Sequence, residues 1–406
     1  MHPLRSALHN ELHARPSLYF SGPAHVFHLA ILGDKADCAT VLRRCQLEAL
    51  NSDMPQGITC LDGHSFKWEQ HTEFFTLTLA VPCTIGESDW KAIPPALAEA
   101  IEPYTAKIIN AVQVLVRDEQ QLDLAKYGFR DPCGSCVGGG DAVVWSDFHL
   151  TPDGTNRFLF INRRLNAYRQ GRMIRRLLEI ETYRMMASLT LGTAKELSQD
   201  LDAFDKTLVN LSERSARSDG LDSKGLLEAI ARLSRQVVSR TVTTRHRFGA
   251  TQAYAQLVFE RLGELRESHV GDCQRVGVFI ERRFKPTVRY CAATEQRLEQ
   301  LAENVANLGD LLQARVQVEM EEQNAEILRG LNARADAQVK IQRAVEGLSI
   351  IAITYYLLNL FKLLYGGLNV LGAELTARDA LLGMSPPVLL VLAVILLRLR
   401  KAKQHC

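Results

Sequence analysis

Residues 347–371 read GLSIIAITYYLLNLFKLLYGGLNVL, and residues 381–397 read LLGMSPPVLLVLAVILL. The first stretch carries one charge, Lys362, and offers about 24 predominantly apolar residues, where a bilayer core of ~30 Å needs ~20. The second adds about 26 Å of helix at ~1.5 Å per residue. Together they predict a two-helix transmembrane hairpin with a loop of about nine residues between its arms. Arg334, Lys340 and Arg343 precede the hairpin, and Arg398, Arg400, Lys401 and Lys403 follow it, whereas the loop sets Arg378 beside Glu374 and Asp379. This asymmetry predicts that both termini are cytosolic. A helical hairpin buried in a soluble core is the alternative, but it would not need the basic tail of 398–406.

Upstream of the hairpin, prolines are scarce. Ten of the 13 lie in the first 152 residues, and Pro286 alone falls between Pro152 and Pro386. Interior proline breaks a helix, so a Leu-, Ala-, Glu- and Arg-rich stretch without it can form long helices. Helices are expected from about Ala167, from about Ser223 to Phe284, and from Thr287 to Glu346. SARSDGLDSKG (215–225) is the expected turn between the first two. The last helix would run about 90 Å at ~1.5 Å per residue. Leu298, Leu301, Val305, Leu308 and Leu312 follow a 3-4 spacing, a seam for a partner helix. Antiparallel packing on the preceding helices and a self-associating coil both satisfy it.

The first part of the chain alternates strand-like and helical stretches. Strands are expected at 24–32, 74–81, 108–116, 142–150 and 157–161, and helices at 35–50 and 87–101. The organisation predicted is an α/β or α+β domain at 1–161, a helical stalk at 162–346, spans at about 347–371 and 381–397, and a cytosolic tail at 398–406. Hydrophobic residues make up 47% of the 406, which excludes disorder on compositional grounds. With 48 basic and 46 acidic residues the net charge is +2, which argues against a dedicated nucleic-acid binder. Nine cysteines, an odd number without framework spacing, fit a reducing compartment. MHPLRSALHNELHARP at the start has no apolar h-region, so no signal peptide is expected there.

Four local patterns bear on chemistry. His9 and His13 stand four residues apart around Glu11, metal-ligand spacing on a helix, and His2, His25 and His28 add imidazoles to that part of the chain. Packing or capping is the other reading, since Pro16 limits the helix. Cys133 and Cys136 form a CxxC that leads into Gly138, Gly139 and Gly140; a tight glycine-rich turn competes with redox or metal chemistry. The glycines lack the Lys and Ser/Thr of a phosphate-binding loop, and no catalytic motif compels an enzyme or a cofactor. Between Arg163 and Arg184 lie seven arginines and two glutamates. Arg172, Arg175 and Arg176 could form a basic binding face for anionic lipid, RNA or an acidic partner, with ion pairing inside a bundle as the alternative.

NELHARP (10–16), VGGGDAVVWSDF (137–148), RRLLEIETYRMMASL (175–189), RFGATQAY (247–254) and VEGLSIIAITYYLLNLF (345–361) resemble a bacterial family of predicted membrane-anchored proteins defined as a domain of unknown function. The resemblance covers nearly the whole chain and implies the bacterial inner membrane with a large cytosolic part. In architecture the chain also resembles the CorA-type divalent-cation channels, whose pentamers line a pore with the first span and end it in Tyr-Gly-Met-Asn. Here that place reads Tyr365, Gly366, Gly367, Leu368, Asn369, so the Gly-Met-Asn tripeptide and its magnesium selectivity do not carry over. On this likeness Thr354, Asn359 and Asn369 are candidate polar pore residues, and Tyr365, Gly366 and Gly367 the mouth. Lys362, about 22 Å along the span from Gly347 at ~1.5 Å per residue, could snorkel at the far interface, or it would repel cations if it faced a pore.

The expectation is therefore a non-enzymatic, membrane-anchored homo-oligomer, in one reading an ion channel for divalent cations. In the other it is a non-transporting anchor whose cytosolic domain binds a partner or ligand.

Overall fold

The run AHVFHLAIL forms β1 (Ala24–Leu32), nearly all of it buried, and an eight-stranded sheet grows on either side of it. The other strands are β2 (Gln56–Leu61), β3 (His64–Gln70), β4 (Phe74–Pro82), β5 (Ile108–Arg117), β6 (Cys133–Val137), β7 (Ala142–Ser146) and β8 (Asn156–Asn162). Their order is β2-β3-β4-β1-β5-β8-β7-β6, antiparallel throughout except for β5 with β8. The computed structural model describes residues 17–47, 55–83, 90–118, 123–217 and 223–370, with isolated positions nearer the ends and the backbone alone at 365 and 368–370.

Both sheet faces are covered, so the central strands read as continuous apolar runs and not as alternation. Phe27, Leu29, Phe66, Trp68 and Leu77 pack beneath α1 (Lys35–Arg44) and α2 (Pro95–Ile101) through Val41, Leu42, Leu97 and Ile101. A capping box starts α1: the Asp34 carboxylate accepts from the Asp37 amide at 2.9 Å and the Asp37 carboxylate from the Asp34 amide. The opposite face meets α3 (Ala167–Ser188), α5 (Ser223–Glu264) and the start of α6 (Val276–Val370). Val26, Val112, Val114, Phe158 and Phe160 pack there with Ile174, Leu178, Val258, Ile280 and Phe284.

The 3-4 seam is satisfied within the chain. Leu298, Leu301, Val305 and Leu312 of α6 are buried against Leu197 and Leu201 of α4 (Thr190–Arg217) and against Leu226, Ile230 and Leu233 of α5. These elements belong to one compact unit, 1–312. The second unit, 313–406, contains the rest of α6, where Val318, Ile327 and Leu331, then Leu348, Ile351, Tyr355 and Leu363, are exposed. Among the described residues α6 is the one helix long and apolar enough to cross a membrane, and none of its apolar window is buried. Of residues 381–397 eleven are described, all of them helical, whereas the loop before them and the basic tail lie outside the described residues.

Several boundaries differ from the sequence expectation. The helix expected at 35–50 ends at Arg44, and that expected at 87–101 begins at Pro95, whose fixed φ suits a first turn. The strand expected to reach Leu150 stops at Ser146, because Phe148 turns the chain at φ 53. The block expected from Ser223 to Phe284 breaks between Glu264 and Val276, and the intervening chain bonds the edge strand β6: the Cys136 amide donates to the Ser268 carbonyl and the reverse. α6 then starts ten residues before Pro286 and absorbs it; Ile280 and Phe284 hold the preceding turns on the core. The β2–β3 hairpin and β6 appear in addition.

Candidate functional site

Strand register lays a polar row across the sheet beneath α3. Lys67 of β3 lies opposite Thr78 of β4, Thr78 opposite His28 of β1, and His28 opposite Val112 of β5. The neighbouring row is Glu69, Thr76, Ala30 and Asn110. Side chains two apart on a strand share a face, so all the polar members point at the same helix. His28 is buried, with its Nδ1 2.8 Å from the Thr78 hydroxyl and its Nε2 2.9 Å from that of Thr182. The amide of Asn110 donates to Thr182 at 3.2 Å. Lys67, 4% exposed, pairs with Glu69 at 2.9 Å.

The roof is one side of α3: Gly171, Ile174, Arg175, Leu178, Glu179, Thr182 and Tyr183. Leu18 and Phe20 close the end, tied down where Gln170 donates to the Phe20 carbonyl at 3.2 Å. Gly171 is required for that closure, because a Cβ there would sit 1.9 Å from the Leu18 carbonyl oxygen. What remains is a void of about 530 Å³ counted out to its mouth. Centres of water molecules fit in about 40 Å³ of it, so an occupant must displace waters or shift side chains.

Burial pushes the His28 imidazole down to about 3, helped by the charge of Lys67 and by His71. A neutral imidazole, one nitrogen donating and one accepting, suits two hydroxyls that can each do either. Burial also lowers the Lys67 ammonium, against the pull of Glu69. On the roof Arg175 binds Glu179 at 2.9 Å, and Glu179 also accepts from Arg261 of α5, which ties the cavity to a second helix. The cavity thus offers charge of both signs, hydroxyl groups and an apolar end made by Leu18, Phe20, Ile174 and Leu178.

A family model described as "Protein of unknown function (DUF3422)" matches residues 1–405. The chain belongs to the DUF3422 family. No curated protein matches it. In this DUF3422 protein the three arginines singled out from the sequence part company. Arg175 lines the cavity, while Arg172 and Arg176 border a separate surface groove with Arg169, Arg266, Glu260 and Glu264. Arg176 pairs with Glu264 at 2.7 Å, Arg169 with Asp141 at 2.6 Å and Arg184 with Glu181 at 2.8 Å, so the run is largely ion-paired. Arg172 has no ion pair among the described residues.

His9 is exposed, and Glu11 and His13 lie outside the described residues. His25 and His28, three apart on β1, point to opposite faces of the sheet. Among the described residues no three His, Cys, Asp or Glu side chains are grouped to hold a metal. Cys133 and Cys136 fall on β6 itself, not in a turn. Three residues apart on a strand, they face opposite ways: Cys133 is in the core beneath α3 and donates to the Ser146 carbonyl, while Cys136 joins the cluster on the other face. Burial pushes the Cys133 thiol up to about 12, far from a reactive thiolate. Gly138, Gly139 and Gly140, all at positive φ, make the turn that follows.

On α6 Thr354 is half-buried and its hydroxyl donates to the Ile350 carbonyl at 2.7 Å; Asn359, Gly366 and Gly367 are exposed. At ~100° per residue Thr354, Tyr365 and Asn369 fall within about 60° of one another, whereas Asn359 and Gly366 lie near 130° round the helix. Lys362 falls about 20° from Asn369.

Lys67, Glu69, His28 and Thr182 were not singled out as one site by sequence reasoning. The available signal was polarity in the wrong place: a lysine between Phe66 and Trp68, and a histidine inside AHVFHLAIL.

Proposed function

We propose that this protein is a membrane-anchored binding protein whose α/β unit takes a small amphipathic molecule into the cavity between the sheet and α3. The observation that carries the reading is the buried row Lys67–Thr78–His28 facing a void under Arg175, Glu179 and Thr182. Buried polar groups assembled beside an apolar pocket are the usual composition of a small-ligand site. The polar head of the ligand would bond Lys67 and the hydroxyls, and its apolar end would meet Leu18, Phe20 and Ile174. The role is binding and not catalysis.

The membrane part of the proposal is a two-span hairpin, 347–371 and 381–397, in the bacterial inner membrane, with both termini cytosolic and 1–161 and 162–346 on the cytosolic side. Membrane lipid and further copies of the chain are its partners. A CorA-like channel for divalent cations is the competing reading, supported by the exposed apolar stretch of α6. The angular position of Lys362 weighs against it, because a pore faced by Thr354, Tyr365 and Asn369 would also receive a lysine. Purified protein in liposomes is expected to pass Mg, Co, Ni and Zn ions no faster than empty liposomes; flux above that level would favour the channel.

The binding reading is tested by thermal denaturation of the full chain against a panel of small carboxylic acids, amides and alcohols with short apolar tails. At least one compound should raise the melting temperature saturably, and the rise should vanish in Lys67→Met while surviving in Arg172→Ala. A panel without effect, or an effect equal in Lys67→Met, would remove the support for this cavity as the site.

A further inference from the structure

Arg117 closes β5 on the sheet face opposite the cavity. Its register partner on β8 is Ile161, and the cluster on that face holds Leu115, Tyr127, Val143, Trp145, Leu159 and Ile161. The side chain is among the largest that are fully buried. Its Nη1 donates to the Cys83 sulfur at 3.4 Å, but among the described residues neither Nε nor Nη2 has a hydrogen-bond partner.

These two nitrogens define one edge of the guanidinium. Nε–H and one Nη2–H point the same way, and that edge is a fork that matches the two oxygens of a carboxylate or phosphoryl group. Arginine keeps its charge at any pH a protein survives, so burial cannot be relieved by losing the proton. A fully buried cation without a counter-charge is among the least favourable arrangements a folded chain can hold. Asp118, next in sequence, does not supply the counter-charge: successive strand side chains point to opposite faces, and Arg117 forms no ion pair with it among the described residues.

The surroundings lack the same kind of group. Trp145 Nε1 and Arg157 Nε, on the same sheet face, are also buried without hydrogen-bond partners among the described residues, and both are N–H donors. The Arg157 guanidinium lies 4.9 Å from the centre of the Trp90 ring. Two further donors on this face thus lack an acceptor among the described residues, although the Asp153 and Asp147 carboxylates act on the Arg157 charge. Cys83, Trp90 and Phe129, at the border of the cluster, are half-buried.

We infer that Arg117 is the anchor of a second binding site, one that takes a small oxyanion, carboxylate or phosphoryl, held edge-on by Nε and Nη2. The site is independent of the cavity under α3, since the two lie on opposite faces of the sheet.

The full chain in detergent, dialysed into chloride buffer, is titrated at constant ionic strength with acetate, succinate or inorganic phosphate while its melting temperature is followed. At least one arm should produce a saturable rise; a response to acetate or succinate alone assigns a carboxylate, and a response to phosphate alone a phosphoryl group. Arg117→Lys keeps the charge but loses the fork, and should weaken the apparent affinity about tenfold or more. Arg117→Met should abolish the response, and Lys67→Met should leave it intact. If Arg117→Met does not fold, the wild-type titration and Arg117→Lys still decide. No saturable rise in any arm, or an equal response in Arg117→Lys, would overturn the inference.

Discussion

Lowering the pH from 6.5 to 4 is expected to cost the folded protein about 3 kcal/mol through His28 alone. The imidazole is held down to about 3 in the fold, chiefly by burial, and titrates near 6.5 when unfolded. Between those values the unfolded chain binds a proton that the folded chain refuses. The contribution is therefore fully present above pH 6.5 and is lost as the pH falls towards 3, at a slope approaching ~1.4 kcal/mol per pH unit. The groups bonded to the ring, Thr78 on β4 and Thr182 on α3, are neutral, the charges that act on it, Lys67 and His71, are basic, and the carboxylates of the same cavity, Glu69 and Glu179, are paired with Lys67 and with Arg175 and Arg261. His28→Gln keeps a donor and an acceptor between the two hydroxyls but cannot titrate in this range. Urea midpoints at pH 7, 6, 5 and 4 should diverge, with wild type losing more than the variant. Parallel curves would show that His28 is not held neutral.

A second large effect is expected at Glu181, which is 1% exposed on α3. Its two oxygens accept from Arg184 Nε at 3.0 Å and Nη2 at 2.8 Å, and Asn156 of β8 donates to it at 2.9 Å. Glu181→Ala leaves a guanidinium and a buried amide without their acceptor, for which about 3 kcal/mol is the expected loss. Replacing both partners in Glu181→Met/Arg184→Met should recover most of it, since the cost comes from the stranded charge more than from the pair. Chemical denaturation checks this through the midpoint at unchanged slope. A loss below about 0.5 kcal/mol in the single variant would mean the pair behaves as a surface ion pair.

Much of the fold was legible because apolar runs of strand length are hard to place otherwise. β1, β4, β5 and β8 were found within one residue at each end, and the leucine seam of α6 packs on the preceding helices. The β2–β3 hairpin was missed because QGITCL and HSFKWEQ carry few apolar residues, although Asp62 and Gly63 at φ 50 and 78 between them form the two-residue turn that Asp-Gly favours. Two glycines were silent in the sequence for a related reason. Gly57 and Gly134 each lie opposite a tryptophan, Trp68 and Trp145, whose rings occupy the space a Cβ would need. The cavity was illegible because it depends on register across three strands and on which side of α3 meets them. Arg175 and Arg176 are neighbours in sequence, yet one lines the cavity and the other the outer groove.

The central claim is that the void between Lys67, His28 and α3 receives a ligand. Hydrogen–deuterium exchange of the full chain, with and without a compound that raises its melting temperature, locates the contact directly. Slower exchange is predicted at residues 17–20, 64–70 and 171–183, the three segments that enclose the cavity. Protection confined to other segments, with these three unchanged, would contradict it.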